Sequence, residues 1–217
     1  MVSDIWLSCR SLERFLGEED SQVHALRGVS LDLEPGSVHA IVGPSGCGKS
    51  TLLYILGLLD RADSGTLTID HQLVSGLPDD RLSQKRNELL GFIFQFHFLL
   101  EDFTAQENVM IPVRRLARLT ENEMRNRAAD ARALANDPRV ILADEPTGNL
   151  DSANSQRAFE LLQDIVKEEG KALLLVTHNS AIAEFCDWIH EMQDGVIIRQ
   201  SSAGQRREMK LFAGDSD

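Results

Sequence analysis

The stretch Ser37–Leu59, "SVHAIVGPSGCGKSTLLYILGLL", decides how the rest of the chain is read. Its first residues form a short apolar run that ends in glycine, as a buried parallel strand does before a loop. Its last residues, from Lys49 on, have helical character. Between them "GPSGCGKS" matches G-x-x-x-x-G-K-[ST], in the strand-to-helix context the pattern requires. Gly43, Pro44, Ser45, Gly46, Cys47 and Gly48 make a loop whose glycines let backbone N–H groups turn inward around a polyphosphate. The helix that follows points its positive end at the same place. Lys49 is expected to reach the β- and γ-phosphates, Ser50 to ligate Mg²⁺ through its hydroxyl, and Thr51 to add a phosphate donor.

A second stretch, "VILADEP" (Val140–Pro146), sets two carboxylates after a buried apolar run. Alone, Asp144 and Glu145 fit two solvated acids at a strand end. Beside a phosphate loop they fit a site at the carboxyl edge of an open α/β sheet. Asp144 is then the candidate for the Mg²⁺ shell and Glu145 the candidate general base on an attacking water. Two further strands end in polar residues suited to the same ligand. Gln95 follows "GFIF", where it can reach the metal or the water, and His178 follows "LLLVT", within reach of a γ-phosphate. Either would be an ordinary polar residue if it stood alone.

The remaining pattern alternates. "SLERFLGEEDSQVHALRGVSLDLEPG" reads as short strands about the polar turn "GEEDSQ", and "SGTLTID" as another strand. "PDDRLSQKRNELL" and "SANSQRAFELLQDIVKEEG" read as helices, the second with Phe159, Leu162 and Val166 on one face. "TENEMRNRAADARALAN" is strongly helical, and "WIHEMQDGVIIR" is a hairpin about Asp194-Gly195. Buried strands alternating with helices predict an α/β fold: a P-loop core on a mainly parallel sheet, with an antiparallel β-subdomain from the N-terminal third. The tail from Ser201 reads as loosely structured.

Composition bounds the function. The 217 residues carry a formal net charge of −12, which argues against a nonspecific nucleic-acid binder, since phosphate affinity comes from Lys and Arg. No apolar run approaches the roughly 20 residues that span a bilayer. Cys9, Cys47 and Cys186 have no metal-ligand spacing and read as free thiols of a reducing compartment.

On these motifs the chain resembles the ATP-binding subunit of an ABC transporter. "GPSGCGKST" is similar to the Walker A loop, "GFIFQ" to the strand and Q-loop, "VILADEP" to Walker B, "TGNLD" to the D-loop and "VTH" to the H-switch. "LLYILGLLDRADSGTL" and "FIFQFHFLLEDFTAQENVMIP" resemble the LolD/MacB-like branch of lipoprotein-release and macrolide-export ATPases. The resemblance spans roughly residues 5–200, one nucleotide-binding domain (1–200) with residues 201–217 as a tail. It implies ATP and Mg²⁺, and catalytic roles for Glu145, His178 and Gln95. It implies metal ligation by Ser50, Gln95 and Asp144, and places Asp151 at the interface with a second ATP-binding subunit, identical or not. Phe15 matches the family's adenine-stacking aromatic in position, and equally fits a strand residue packed into the β-subdomain. Integral-membrane permease subunits are the implied partners, with the chain cytoplasmic and peripheral on the inner face of the membrane.

One part of the family's pattern is missing. An LSGGQ-type signature belongs between the Q-loop and Walker B, on a helix ending in a phrase like "ARALANDP" (Ala131–Pro138). That phrase is present, but the signature before it is not. Only 49 positions separate Gln95 from Asp144, so the helical subdomain is expected to be shortened around 104–135. "SSAGQRR" (Ser201–Arg207) has similar letters in the wrong place. The alternative function is therefore an ATP-binding module with little or no hydrolysis, regulatory or degenerate.

Overall fold

The structure is a computed structural model and describes residues 4–18, 21–94, 136–146 and 152–206. Two sheets organise it. The first is antiparallel, in the order β2-β1-β4-β5. Strands β1 (Leu7–Leu16) and β2 (Val23–Leu33) form one long hairpin, in register from Leu7↔Leu33 to Leu16↔Val23. Strand β4 (Ser64–Ile69) pairs with the other edge of β1, and β5 (Gln72–Leu73) closes the sheet. The second sheet has the order β10-β9-β3-β8-β7-β6. From β9 (Trp188–Gln193) through β3 (Val38–Val42), β8 (Ala172–Val176) and β7 (Val140–Asp144) to β6 (Leu90–Phe94), every neighbour is parallel. Strand β10 (Val196–Ser202) adds an antiparallel edge.

The parallel strands are apolar almost throughout because both of their faces are covered. On one face Ile41, Leu142 and Leu174 meet Leu31 and Leu33 of the antiparallel sheet and Leu52 and Leu53 of helix α1 (Lys49–Leu56). On the other, Ala40, Ile141 and Leu173 meet Phe159 and Val166 of α3 (Ser152–Glu168) and Ile182 of α4 (Ser180–Glu184). The sequence places Leu162 on the same face of α3, and it packs there, partly buried. Helix α2 (Asp79–Leu89) begins after Pro78 with Asp79 and Asp80 in its first turn, where carboxylates favour the helix dipole. Among the described residues, no helix is long and apolar enough to cross a membrane.

The N-terminal strands are longer than their sequence suggests, at 10 and 11 residues. Shifts in register break the alternation that would have revealed their length. The stretch read as a loose tail begins inside β10 and then turns. Ser202 N–H donates to Gln205 Oε1 (3.0 Å), and Gln205 N–H donates to Ser202 Oγ (3.3 Å). That reciprocal pair is a capping box, which accounts for the "SSAGQ" letters without any signature role. The continuous helix expected across Thr120–Asn136 falls mostly outside the described residues, as does the shortened helical subdomain. Where the chain is described again, Asn136 Nδ2 donates to the Asn87 carbonyl (2.9 Å), and buried Lys171 bonds Asp137 Oδ1 (2.5 Å).

Between the two sheets lies a buried histidine pair with a defined proton order. Ser37 Oγ donates to the Glu34 carbonyl (2.6 Å), so His39 Nε2 must donate to Ser37 Oγ (2.8 Å). His39 Nδ1 then accepts from His190 Nε2 (3.0 Å), and His190 Nδ1 is left buried with no partner among the described residues. Burial holds both imidazoles neutral, pushing His39 down to about 3, helped by the neighbouring His190, and His190 down to about 4. The unfolded chain protonates both near 6.5, so folded-state stability falls as pH drops from about 6.5 toward 4. Moving to pH 5 is expected to cost about 2 kcal/mol for each histidine as an upper bound. Urea unfolding at pH 7.5 and pH 5 checks this. His190→Gln, which keeps the donor and does not titrate, should shrink the difference.

Candidate functional site

Three parallel strands, β3, β7 and β8, end along one edge of the sheet, and the candidate residues leave from those ends. Strand β3 runs into the loop through Gly43, whose φ is 156° and whose added Cβ would stand 2.1 Å from the Met192 carbonyl oxygen. Gly48 has φ 104°, and a Cβ there would stand 2.5 Å from the Ala25 carbonyl oxygen. Both glycines are required by the close approach of backbone from β9 and β2. The loop is also tied down: Gly195 N–H donates to the Cys47 carbonyl (3.0 Å), and Arg27 N–H to the Gly195 carbonyl (2.8 Å). Asp194 and Gly195 both have positive φ, 47° and 82°, so the hairpin between β9 and β10 turns tightly over the loop.

Helix α1 opens at Lys49 with no acidic residue in its first turn, so nothing there offsets its positive end. The Lys49 ammonium donates to the carbonyls of Gly43 (2.9 Å) and Pro44 (2.8 Å), across the mouth of the loop. Asp144 closes β7, in register with Phe94 of β6 and Val176 of β8. Burial, and then the charge of Glu145, holds the Asp144 carboxyl above its ordinary range, while Lys49 pulls it back. A carboxylate strained in this way favours a neighbouring cation.

Glu145 has φ 47°, in the left-handed region, and its N–H donates to the Val176 carbonyl (3.0 Å). A non-glycine residue there costs about 1–3 kcal/mol, which the surroundings must offset. The conformation turns the Glu145 carboxylate toward β8, where Oε1 lies 2.8 Å from His178 Nδ1. The His178 side chain is 76% exposed against 19% for Glu145, so the imidazole is the solvent-facing half of the pair.

Ser45, Gly46, Gly48, Lys49, Ser50, Thr51, Asp144 and Glu145 line one open cavity of about 590 Å³. The Ser50 hydroxyl and the Asp144 carboxylate are hard oxygen donors on this shared wall, the type that Mg²⁺ takes together with substrate phosphates. Gly43, Pro44 and Cys47 belong to the loop without lining the cavity, and Cys47 is buried. Gln95 and Asp151 lie outside the described residues, as does "TGNLD". Phe15 is not on the cavity wall. Its ring is stacked on His24, with centroids 4.1 Å apart, and it is His24 that lines the cavity. Sequence reasoning missed His24, Ala25 and Arg27 of β2 and the Asp194–Gly195 turn as parts of this wall. No spacing in the sequence marks them; the observed register is what pairs His24 with Phe15.

With this geometry in place, comparison with known proteins gives a consistent answer. The ABC transporter family (ABC_tran) matches residues 26–131. The chain is 39% identical to the lipoprotein-releasing system ATP-binding protein LolD of Ruegeria sp. (strain TM1040), covering 92% of this chain and 100% of that protein. It is 42% identical to LolD 1 of Rhodopseudomonas palustris, covering 81% and 90%. Among solved structures, the dimeric post-hydrolysis state of the ATP-binding cassette MJ0796 bound to ADP and Pi superposes with a TM-score of 0.85 at 32% identity, covering 91% of this chain and 98% of that one. The Ruegeria alignment runs over 228 residues, while 92% of 217 is about 200. About 28 of the aligned positions are therefore not filled by this chain.

Proposed function

The chain belongs to the ABC transporter family as an ATP-binding cassette of the ABC ATPase fold, and we propose that it is the ATP-hydrolysing subunit of a lipoprotein-release type transporter. One observation carries the reading: the phosphate loop and the Asp144–Glu145 strand end line one cavity, and His178 joins them through its 2.8 Å bond to Glu145. Residues 1–200 form the nucleotide-binding domain, shortened around 104–135, with 201–217 as the tail. Backbone N–H groups of the loop, Lys49 and Thr51 hold the triphosphate. Ser50, Asp144 and Gln95 are the residues that would hold Mg²⁺, which supplies charge neutralisation on the phosphate oxygens when bound. Glu145 takes the proton of the attacking water, and His178 keeps the carboxylate oriented and faces the γ-phosphate. Asp151, by the family resemblance, is assigned to the contact with a second cassette, identical or not. The pair docks on membrane permease subunits from the cytoplasmic side.

Lipoprotein release is favoured by the relatives, whose names specify it. The test is steady-state Mg-ATP turnover of the purified chain, alone and with lipoprotein-release type membrane subunits. Turnover that rises with those subunits in lipoprotein-containing vesicles is the expected result. Binding without turnover in either setting would reduce the reading to an ATP-binding module, and absence of Mg-ATP binding would overturn it.

A further inference from the structure

We propose that Gly195 is a positioning residue for the phosphate site: its N–H holds the Cys47 carbonyl and so keeps the Gly48 N–H turned toward the phosphates. The inference rests on the nucleotide reading above and names the group that orients one of the loop's donors.

A trans peptide is planar, so its C=O and N–H point in opposite directions. The unit joining Cys47 to Gly48 is trans. Its carbonyl accepts from Gly195 N–H at 3.0 Å, so its N–H points away from the β9–β10 turn. Gly48 lines the cavity, next to Lys49 and Ser50. Among the described residues the Gly48 N–H has no acceptor. A bare loop donor on that wall is suited to a phosphate oxygen.

Gly48 also makes this orientation insecure. Rotating the peptide by half a turn changes ψ of Cys47 and φ of Gly48, and glycine populates φ of either sign. No stiffer residue can stand there, because an added Cβ would lie 2.5 Å from the Ala25 carbonyl oxygen. In the rotated state the Cys47 carbonyl oxygen would face the phosphates, exchanging a donor for a partial negative charge. Among the described residues, the bond from Gly195 N–H is the one hydrogen bond given to that carbonyl, and it favours the productive orientation.

The donor is itself fixed from the antiparallel sheet. Gly195 stands at φ 82°, and its carbonyl accepts from Arg27 N–H at 2.8 Å. A Cβ on Gly195 would stand 2.8 Å from the Ala25 carbonyl oxygen. Strand β2 thus sets the turn, the turn sets the Cys47 carbonyl, and that carbonyl sets the Gly48 N–H. Gly195 N–H is committed to Cys47, so it acts on the phosphates through this peptide.

The test removes the donor and keeps the full chain. Residues 1–185, made as a thioester, are ligated to a synthetic 186–217 peptide that begins with the native Cys186. In one version an ester oxygen replaces the Gly195 N–H; the other is all amide. The ester is expected to raise Kd about tenfold for both inorganic tripolyphosphate and Mg-ATP, the scale of one hydrogen bond to a charged acceptor. With ¹⁵N-glycine in residues 1–185, the Gly48 amide proton should move downfield on tripolyphosphate binding in the all-amide chain and stay put in the ester chain. A general loosening of the fold would not produce that difference. Gly195→Ala, which drives a Cβ against Ala25, should show the same pair of effects. Unchanged affinity in the ester chain would overturn the inference, as would weakened binding in which the Gly48 amide still moves. If the ester chain does not fold, Gly195→Ala decides by the same two readouts. Failure of both to fold would make Gly195 a residue of the fold alone and overturn the inference too. An all-amide chain that binds neither ligand would overturn the nucleotide reading itself, a result distinct from binding that ignores the ester.

Discussion

Lys49→Ala is expected to weaken Mg-ATP binding by at least about 100-fold, because it removes a charge-assisted donor shared between two phosphates. The ammonium spans the mouth of the loop, held by the Gly43 and Pro44 carbonyls, so it is already on the path a triphosphate must take. Its loss acts twice. The phosphates lose their one fixed cation among the loop residues, and Asp144 loses the positive charge that draws its carboxyl back toward the ionised form. A less ionised Asp144 holds Mg²⁺ more weakly, which lowers the affinity for Mg-ATP further. The fold should be indifferent, since the Lys49 side chain contributes little to the apolar core, and the thermal midpoint is expected to stay within a few degrees. Calorimetry with Mg-ATP, beside a thermal scan of the same samples, is the check. Affinity within threefold of wild type would show that the phosphates bind elsewhere.

What the sequence discloses and what it hides follow from distance along the chain. The loop from Gly43 to Ser50 is legible because its strand, its turn and its helix are contiguous, and each glycine serves a local backbone need. Asp144 and Glu145 are legible because an apolar strand points to its own end. The meeting of Glu145 with His178 needs two strands 33 positions apart to lie side by side, yet the parallel alternation already implies it. The cavity's far wall is different. Ala25 and Asp194 reach the phosphate loop only because β2 and the β9–β10 turn fold over it, and no period or spacing encodes that approach. His24 is hidden for a similar reason: the aromatic that matches by position is Phe15, but the hairpin register lays an imidazole over it. The His39–His190 pair is likewise invisible, since a histidine in an apolar strand carries no mark of the neighbour it will meet.

Glu145→Gln separates chemistry from binding in a way that Lys49→Ala cannot. The carboxamide is isosteric, and its oxygen can still accept from His178, so the strained turn at Glu145 and its bond to the Val176 carbonyl should persist. What is lost is the capacity to take a proton. A positioned general base is worth about 100- to 10,000-fold, and turnover is expected to fall by about 1,000-fold in whichever assembly hydrolyses ATP. Affinity should hold or improve. Glu145 is one of the causes that raise the Asp144 carboxyl, so neutralising it favours ionised Asp144 and with it the Mg²⁺ shell. The expected signature is therefore a collapse of kcat with Kd for Mg-ATP unchanged or tighter, opposite to that of Lys49→Ala. Single-turnover measurements with saturating protein isolate the hydrolytic step from product release. A variant that keeps a tenth or more of wild-type turnover would mean that Glu145 orients the water without accepting its proton. The exposed His178 imidazole, 2.8 Å from it, would then be the next candidate for the base.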